Sequence, residues 1–270
     1  MKNVRLVASD MDHTLLTEDN KLPEGFGEYV DRLHERGIHF IAASGRPMYS
    51  LKEMFTEYQG HMGFISDNGA LIEADGKIIY KNLIPQADYK KMIKFVLNQE
   101  VGIPLLCALD SVYILKEHKC YESIYKRFFS KISYVDDLQL VSPEANKFTV
   151  FFPEHDAKEY LNTVYSNEFG RQYHVTIGGD EWIDIMNEGI NKGSAIKVLT
   201  EYYGLSLDQT MAFGDTYNDI EMLRIANFSY VMKNASEEMK QYGKYEADTN
   251  ENYGVLKVLD ELLRIVPTLF

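Results

Sequence analysis

Four short apolar runs, each broken at once by a polar turn, constrain this chain more than any other feature. Val4–Ser9 runs into Asp10, Ile38–Ala43 into Ser44-Gly45-Arg46-Pro47, Gly63–Ser66 into Asp67-Asn68-Gly69, and Met211–Phe213 into Gly214-Asp215. Each run is too short and too continuously apolar for a surface helix, and fits a strand buried on both faces of a parallel sheet. Helical segments lie between them. Glu24–Arg36 puts Phe26, Tyr29, Val30 and Leu33 on one stripe, with Gly37 as its stop; Ser194–Tyr203 and Val255–Ile265 behave similarly. This alternation predicts an α/β fold with a doubly wound, mainly parallel sheet, where ligands sit beyond the carboxyl ends of the strands. All four polar turns fall at those ends.

Residues from about Leu83 to Asn187 follow another pattern. An amphipathic segment, Ala87–Leu97, precedes β-rich pieces at Val112–Leu115 and Lys147–Phe152. A helix-like run, Ala157–Phe169, is followed by hairpin halves His174–Ile177 and Glu181–Met186 around Gly178-Gly179-Asp180. The expectation is an α+β cap at residues 84–187, inserted into a core formed by residues 1–83 and 188–270.

Composition narrows the class of partner. The 270 residues carry 28 basic and 41 acidic side chains, a net charge of −13. So negative a surface repels phosphate backbones and anionic lipid, which argues against nucleic acid and membrane as partners. A small phosphorylated ligand is still open to it, because a few cations inside one cleft can reverse the local sign. Only two cysteines occur, Cys107 and Cys120, which fits a reducing compartment rather than a disulfide framework. The opening MKNVRLVASD meets an acidic residue before a signal-peptide core can form, and no run of about 18 apolar residues follows. A soluble cytoplasmic protein is expected.

The first chemical signal is Asp10-Met11-Asp12-His13-Thr14, directly after the first strand. Two carboxylates one residue apart can converge on one small volume, one attacking while the other handles protons. Taken alone, such a pair is more often a solvated turn or a helix cap. The second signal is Gly214-Asp215-Thr216-Tyr217-Asn218-Asp219. Asp215 and Asp219 lie one helical turn apart and offer hard oxygen ligands suited to Mg²⁺; helix capping explains them as well. Ser44 at a strand end and Lys192 in Asn191-Lys192-Gly193 are each unremarkable singly.

Together and in this order, the four motifs resemble the haloacid dehalogenase superfamily. The large insert after the second motif, Asn68-Gly69-Ala70, Met232-Lys233-Asn234-Ala235 and Tyr253-Gly254-Val255 resemble its Cof-type branch of sugar-phosphate phosphatases. The resemblance implies a Mg²⁺-dependent phosphatase acting on small phosphorylated metabolites through an aspartyl-phosphate. Asp10 would be the nucleophile and Asp12 the acid–base. Ser44 and the Gly45 amide would hold phosphoryl oxygens, and Lys192 would neutralise them. Met11, Arg46 and Asn218 complete the phosphate-binding set; Asp10, the Asp12 carbonyl, Asp215 and Asp219 the metal set. His13 stands where the family usually has glycine.

Two rival readings remain open. A phosphomutase or phosphotransferase would pass the same aspartyl-phosphate to a sugar hydroxyl, and a non-catalytic phosphoacceptor would use clustered acids, a hydroxyl and a lysine. Trp182, Asp184 and Asn187 are candidate substrate contacts by position. His34 and His39 do not make a zinc motif, being five apart with Gly37 between them.

Overall fold

β1 (Leu6–Ser9) takes the centre of an eight-stranded sheet because both its edges and both its faces are covered. The computed structural model describes residues 1–99 and 101–266. In chain order this sheet contains β1, β2 (His39–Ala43), β3 (Met62–Ser66), β4 (Leu71–Ala74) and β5 (Lys77–Lys81). The chain then builds a second sheet: β6 (Ile103–Ala108), β7 (Val112–Leu115), β8 (Ile132–Val135), β9 (Ala145–Phe151), β10 (Tyr173–Gly179) and β11 (Trp182–Asn187). It returns to the first with β12 (Thr210–Gly214), β13 (Phe228–Met232) and β14 (Tyr245–Ala247).

The eight strands run in the order β14-β13-β12-β1-β2-β3-β4-β5. All neighbours from β14 to β3 pair in parallel, while β4 runs antiparallel to both β3 and β5 at one edge of the sheet. Side chains alternate across the sheet. Val7, Phe40, Phe64 and Phe213 pack under the helices Phe26–His34 and Gly254–Ile265. Leu6, Ala8, Ile41 and Ala212 face the helices Lys192–Tyr203 and Ile220–Ile225. Helices on both faces make the sheet doubly wound, and continuous apolar strands are what two buried faces require.

The second sheet has the order β10-β11-β9-β6-β7-β8, antiparallel except for β7–β8. On β9, Phe148 and Val150 point into a core with Tyr89 and Ile93 of the helix Gln86–Gln99. Lys147, Thr149 and Phe151 alternate onto the opposite face, as do Trp182 and Asp184 on β11. That face looks across a cleft at the first sheet: Lys147 Nζ reaches the Gly45 carbonyl at 2.5 Å, and Asn68 donates to Asp184 at 2.7 Å. Asn187 ties the two linkers together, donating to Asn82 Oδ1 at 2.6 Å and the Leu83 carbonyl at 2.9 Å. Among the described residues, no helix is long and apolar enough to cross a membrane. Cys107 and Cys120 are unbonded thiols.

Candidate active site

Asp10, Ser44, Asp67 and Asp215 each leave the carboxyl end of a neighbouring parallel strand, so the sheet itself gathers them. Asp10 is locked there by its amide, which donates to the Phe213 carbonyl of β12 at 3.0 Å. The chain then turns through His13 at φ 59°, a left-handed conformation natural to glycine. His13 is solvent-exposed at the cleft, and Asn234 holds its carbonyl at 2.8 Å. Met11 is fully buried in the core, which leaves only its backbone for a ligand.

Lys192 opens the helix Lys192–Tyr203, whose start is fixed by Asn191 and Ser194 capping one another. Fully buried, its ammonium bonds Asp10 and also Asp219 Oδ1 at 2.7 Å. The other Asp219 oxygen accepts from the amides of Asp215 and Thr216 at 2.9 and 3.1 Å. Both Asp219 oxygens are therefore engaged in holding the loop and the lysine. Thr14 donates to Asp215 Oδ1 at 2.8 Å.

Asp12 meets Arg46 instead. The guanidinium forks onto both its oxygens at 3.0 and 2.5 Å, reaches Asn20 at 3.1 Å, and donates to the Arg127 carbonyl across the cleft at 2.6 Å. Arg46 thus braces Asp12 against the second sheet. Ser44 is buried, and its hydroxyl accepts from the Arg46 amide at 3.0 Å. Asn218 donates its amide nitrogen to Asn68 at 2.9 Å, and its own carbonyl oxygen is buried with no donor among the described residues.

Four carboxylates here face two cations, and their acidities record the imbalance. Burial raises the Asp10 carboxyl well above its ordinary range, the charge of Asp219 adds to that, and Lys192 offsets only part. Burial and Asp219 push Asp215 up to about 7. Asp12 is lowered instead, because Arg46 outweighs its burial. Burial disfavours the Lys192 charge, but Asp10 and Asp219 overcome it and hold the ammonium firmly protonated.

The residues present fit a divalent cation. Asp10, Asp215 and Asp219 bring carboxylate oxygens within 4.8 Å of one another. Among the described residues, one oxygen each of Asp10 and Asp215 receives no donor, and burial together with the nearby negative charge makes both carboxyls weaker acids than usual. Oxygen donors, one or two carboxylates and an open approach for water or phosphate are what Mg²⁺ takes. The approach is a cavity of about 560 Å³ with Asp10, Asp12 and Asp215 at one end, and Trp182, Asp184 and Phe128 from the second sheet's side at the other. Of the residues singled out by position, Trp182 and Asp184 line this cavity, whereas Asn187 belongs to the linkers. Lys147 was missed. Its signal is a lone lysine inside the apolar strand Ala145–Phe151, at an alternating position that cannot join the core.

The family model for haloacid dehalogenase-like hydrolases matches residues 7–259. An Escherichia coli 5-amino-6-(5-phospho-D-ribitylamino)uracil phosphatase is 26% identical over 264 residues, covering 97% of each chain. A crystal structure from Streptococcus mutans superposes with a TM-score of 0.91 at 28% identity, over 97% of this chain and 99% of that one. A subclass IIB sugar phosphatase gives 0.82 at 25% identity, over 97% and 100%. The chain belongs to the haloacid dehalogenase-like hydrolases, as an enzyme of their Cof-type branch.

Proposed function

We propose that this enzyme is a Mg²⁺-dependent phosphatase that releases phosphate from small sugar or sugar-alcohol phosphates by way of an aspartyl-phosphate at Asp10. The observation that carries it is the Asp10–Lys192–Asp219 cluster beside Asp215 at the end of a cavity roofed by a second domain, here taken as residues 84–187. The relatives' names, a phosphoribityl phosphatase and a sugar phosphatase, support the substrate class.

Phosphate-monoester hydrolysis needs up to about 10²¹-fold acceleration, of which one acid–base residue supplies roughly 10²–10⁴. The balance falls to positioning and to positive charge against the phosphoryl oxygens. Asp10 attacks phosphorus, and the leaving alkoxide takes a proton from Asp12. In the second step Asp12 removes a proton from the water that attacks the acyl phosphate, restoring Asp10. Lys192 orients Asp10 and shares the phosphoryl charge with the Ser44 hydroxyl and the Gly45 amide. Arg46 keeps Asp12 ionised, the state the second step uses; the first step requires that fork to loosen as substrate enters. Bound Mg²⁺, held by Asp10, the Asp12 carbonyl and Asp215, would supply electrostatic stabilisation of the transferring group. Asp219 acts from behind, through Lys192 and the loop amides.

Phosphate release from a panel of sugar phosphates, with Mg²⁺ and with excess chelator, tests this. Metal-dependent release from a subset is expected, with Asp10→Asn folded and at least about 10⁴-fold slower. Full activity in chelator, or substantial turnover by Asp10→Asn, would contradict the metal or the nucleophile.

A further inference from the structure

The turn that follows β2 satisfies nearly all of its own backbone. The Ser44 amide donates to the Ile65 carbonyl at 2.9 Å, and the Ser44 carbonyl accepts from the Asn68 amide at 3.0 Å. The Arg46 carbonyl accepts from the Asp67 amide at 3.0 Å, while the Arg46 N–H donates back to the Ser44 hydroxyl at 3.0 Å. Two groups of Gly45 remain. Its carbonyl takes the Lys147 ammonium of β9, from the second sheet, at 2.5 Å. Its N–H has no acceptor among the described residues, and Gly45 lines the cavity with Asp10 and Asp12. The Ser44 hydroxyl is in a like position. Its oxygen accepts from Arg46, and its one proton has no acceptor among the described residues. The turn thus keeps two donors free, which suits phosphoryl oxygens.

Lys147 is the one partner in this turn that the first sheet does not supply. It is buried, with Asp184 at 3.4 Å and Asp67 at 3.9 Å to balance its charge. The Gly45–Arg46 peptide therefore carries an ammonium on its carbonyl and a hydroxyl on its N–H. A cation at the carbonyl end polarises the peptide and strengthens its N–H as a donor. The hydroxyl that accepts from that N–H becomes a stronger donor in turn. The ammonium also fixes the rotation of the peptide, and with it the direction from which the Ser44 oxygen is held. We infer that Lys147 is a positioning residue for phosphate: docking of the second sheet completes the Ser44–Arg46 turn, and the lysine acts on the phosphoryl group through one peptide and one hydroxyl. This rests on the reading of the site as a phosphatase. It gives the second sheet a part at the phosphoryl end of the cavity, beyond roofing it.

The test is a double-mutant cycle between Lys147 and Ser44. It is read by kcat/KM for a sugar phosphate that the enzyme hydrolyses, and by calorimetric binding of inorganic phosphate with Mg²⁺ present. Ser44→Ala removes a donor outright and is expected to lower kcat/KM about 100-fold. Lys147→Met should lower it about tenfold and weaken phosphate binding to a similar degree. Added to Ser44→Ala, Lys147→Met should cost about twofold at most, because its route runs through the missing hydroxyl; a merely structural loss would carry over undiminished. The Thr149 hydroxyl donates to Asp184 in the same buried cluster at 2.6 Å without touching Gly45, so Thr149→Val should keep both readouts at wild type. Additive losses in the double variant, wild-type phosphate affinity in Lys147→Met, or an equal loss in Thr149→Val would each overturn the inference. If Lys147→Met does not fold, Lys147→Gln, one bond shorter and still polar beside Asp184, carries the same expectations. A wild-type protein that neither releases nor binds phosphate would instead defeat the phosphatase reading itself.

Discussion

Under the proposed Mg²⁺ reading, Asp215 is the residue on which pH and metal meet. Folding raises its carboxyl from an ordinary value near 3.8 to about 7, through burial and then the charge of Asp219. A raised acid is stable in the fold when protonated. Ionising it costs the folded state a penalty that is absent below about pH 4 and complete above about pH 7. A cation competes with that proton and removes the penalty. Mg²⁺ affinity is therefore expected to fall by about tenfold or more from pH 8 to about pH 5.5, with proton release on binding near neutrality. The gain in melting temperature on adding Mg²⁺ should shrink in parallel. An equal gain at both pH values would show that Asp215 is not where the metal displaces a proton.

At the scale of elements, the loop after β12 depends on what β12 ends with. A Cβ at Gly214 would lie 2.5 Å from the Asp219 Cβ and 2.6 Å from its carboxyl carbon. Gly214→Ala would force Asp219 away from Lys192 and from the two amides that it holds. Overpacking of this kind costs about 1–3 kcal/mol, so denaturant melts should show that loss together with at least a tenfold fall in kcat/KM. A variant that kept both values would mean that Asp219 has room to move. The same elements show why some of the fold was legible in the chain and some was not. Strands β1, β2, β3 and β12 announce themselves because two buried faces demand unbroken apolar runs, and each stops where a carboxylate or hydroxyl must begin. β5 and β14, Tyr245-Glu246-Ala247, are the sheet's two edge strands, where solvent relaxes that demand and the pattern fades. Arg46 could be picked out beside Ser44, but its fork onto Asp12 joins two strand ends that only the three-dimensional sheet brings together. Lys147, Asn68 and Asp184 form a network across three distant segments, and no local spacing encodes that.

For the whole molecule, the second sheet is held over the first mainly by buried contacts. Lys147 to Gly45, Asn68 to Asp184, and Asn146 to Asp67 at 2.8 Å are shielded from solvent. Lys158 crosses the rim in the open, to Tyr217 at 2.7 Å and Glu238 at 3.1 Å. Salt screens exposed pairs far more than buried ones. Small-angle scattering should therefore give the same radius of gyration in about 0.1 M and 1 M salt. Expansion at high salt would make the exposed Lys158 contact the one that governs closure. The pairing of β1 with β12, Leu6 opposite Thr210, carries a different consequence, in time. On a ribosome adding roughly 5–20 residues per second, about 200 residues and some ten to forty seconds separate the two strands. During that interval the central strand Leu-Val-Ala-Ser has one bare hydrogen-bonding edge, while residues 84–187 already have the means to build a core of their own. The segment that roofs the finished site is thus complete before the floor can be laid, and the open edge of β1 is where a nascent chain of this protein is most exposed to pairing with a neighbour.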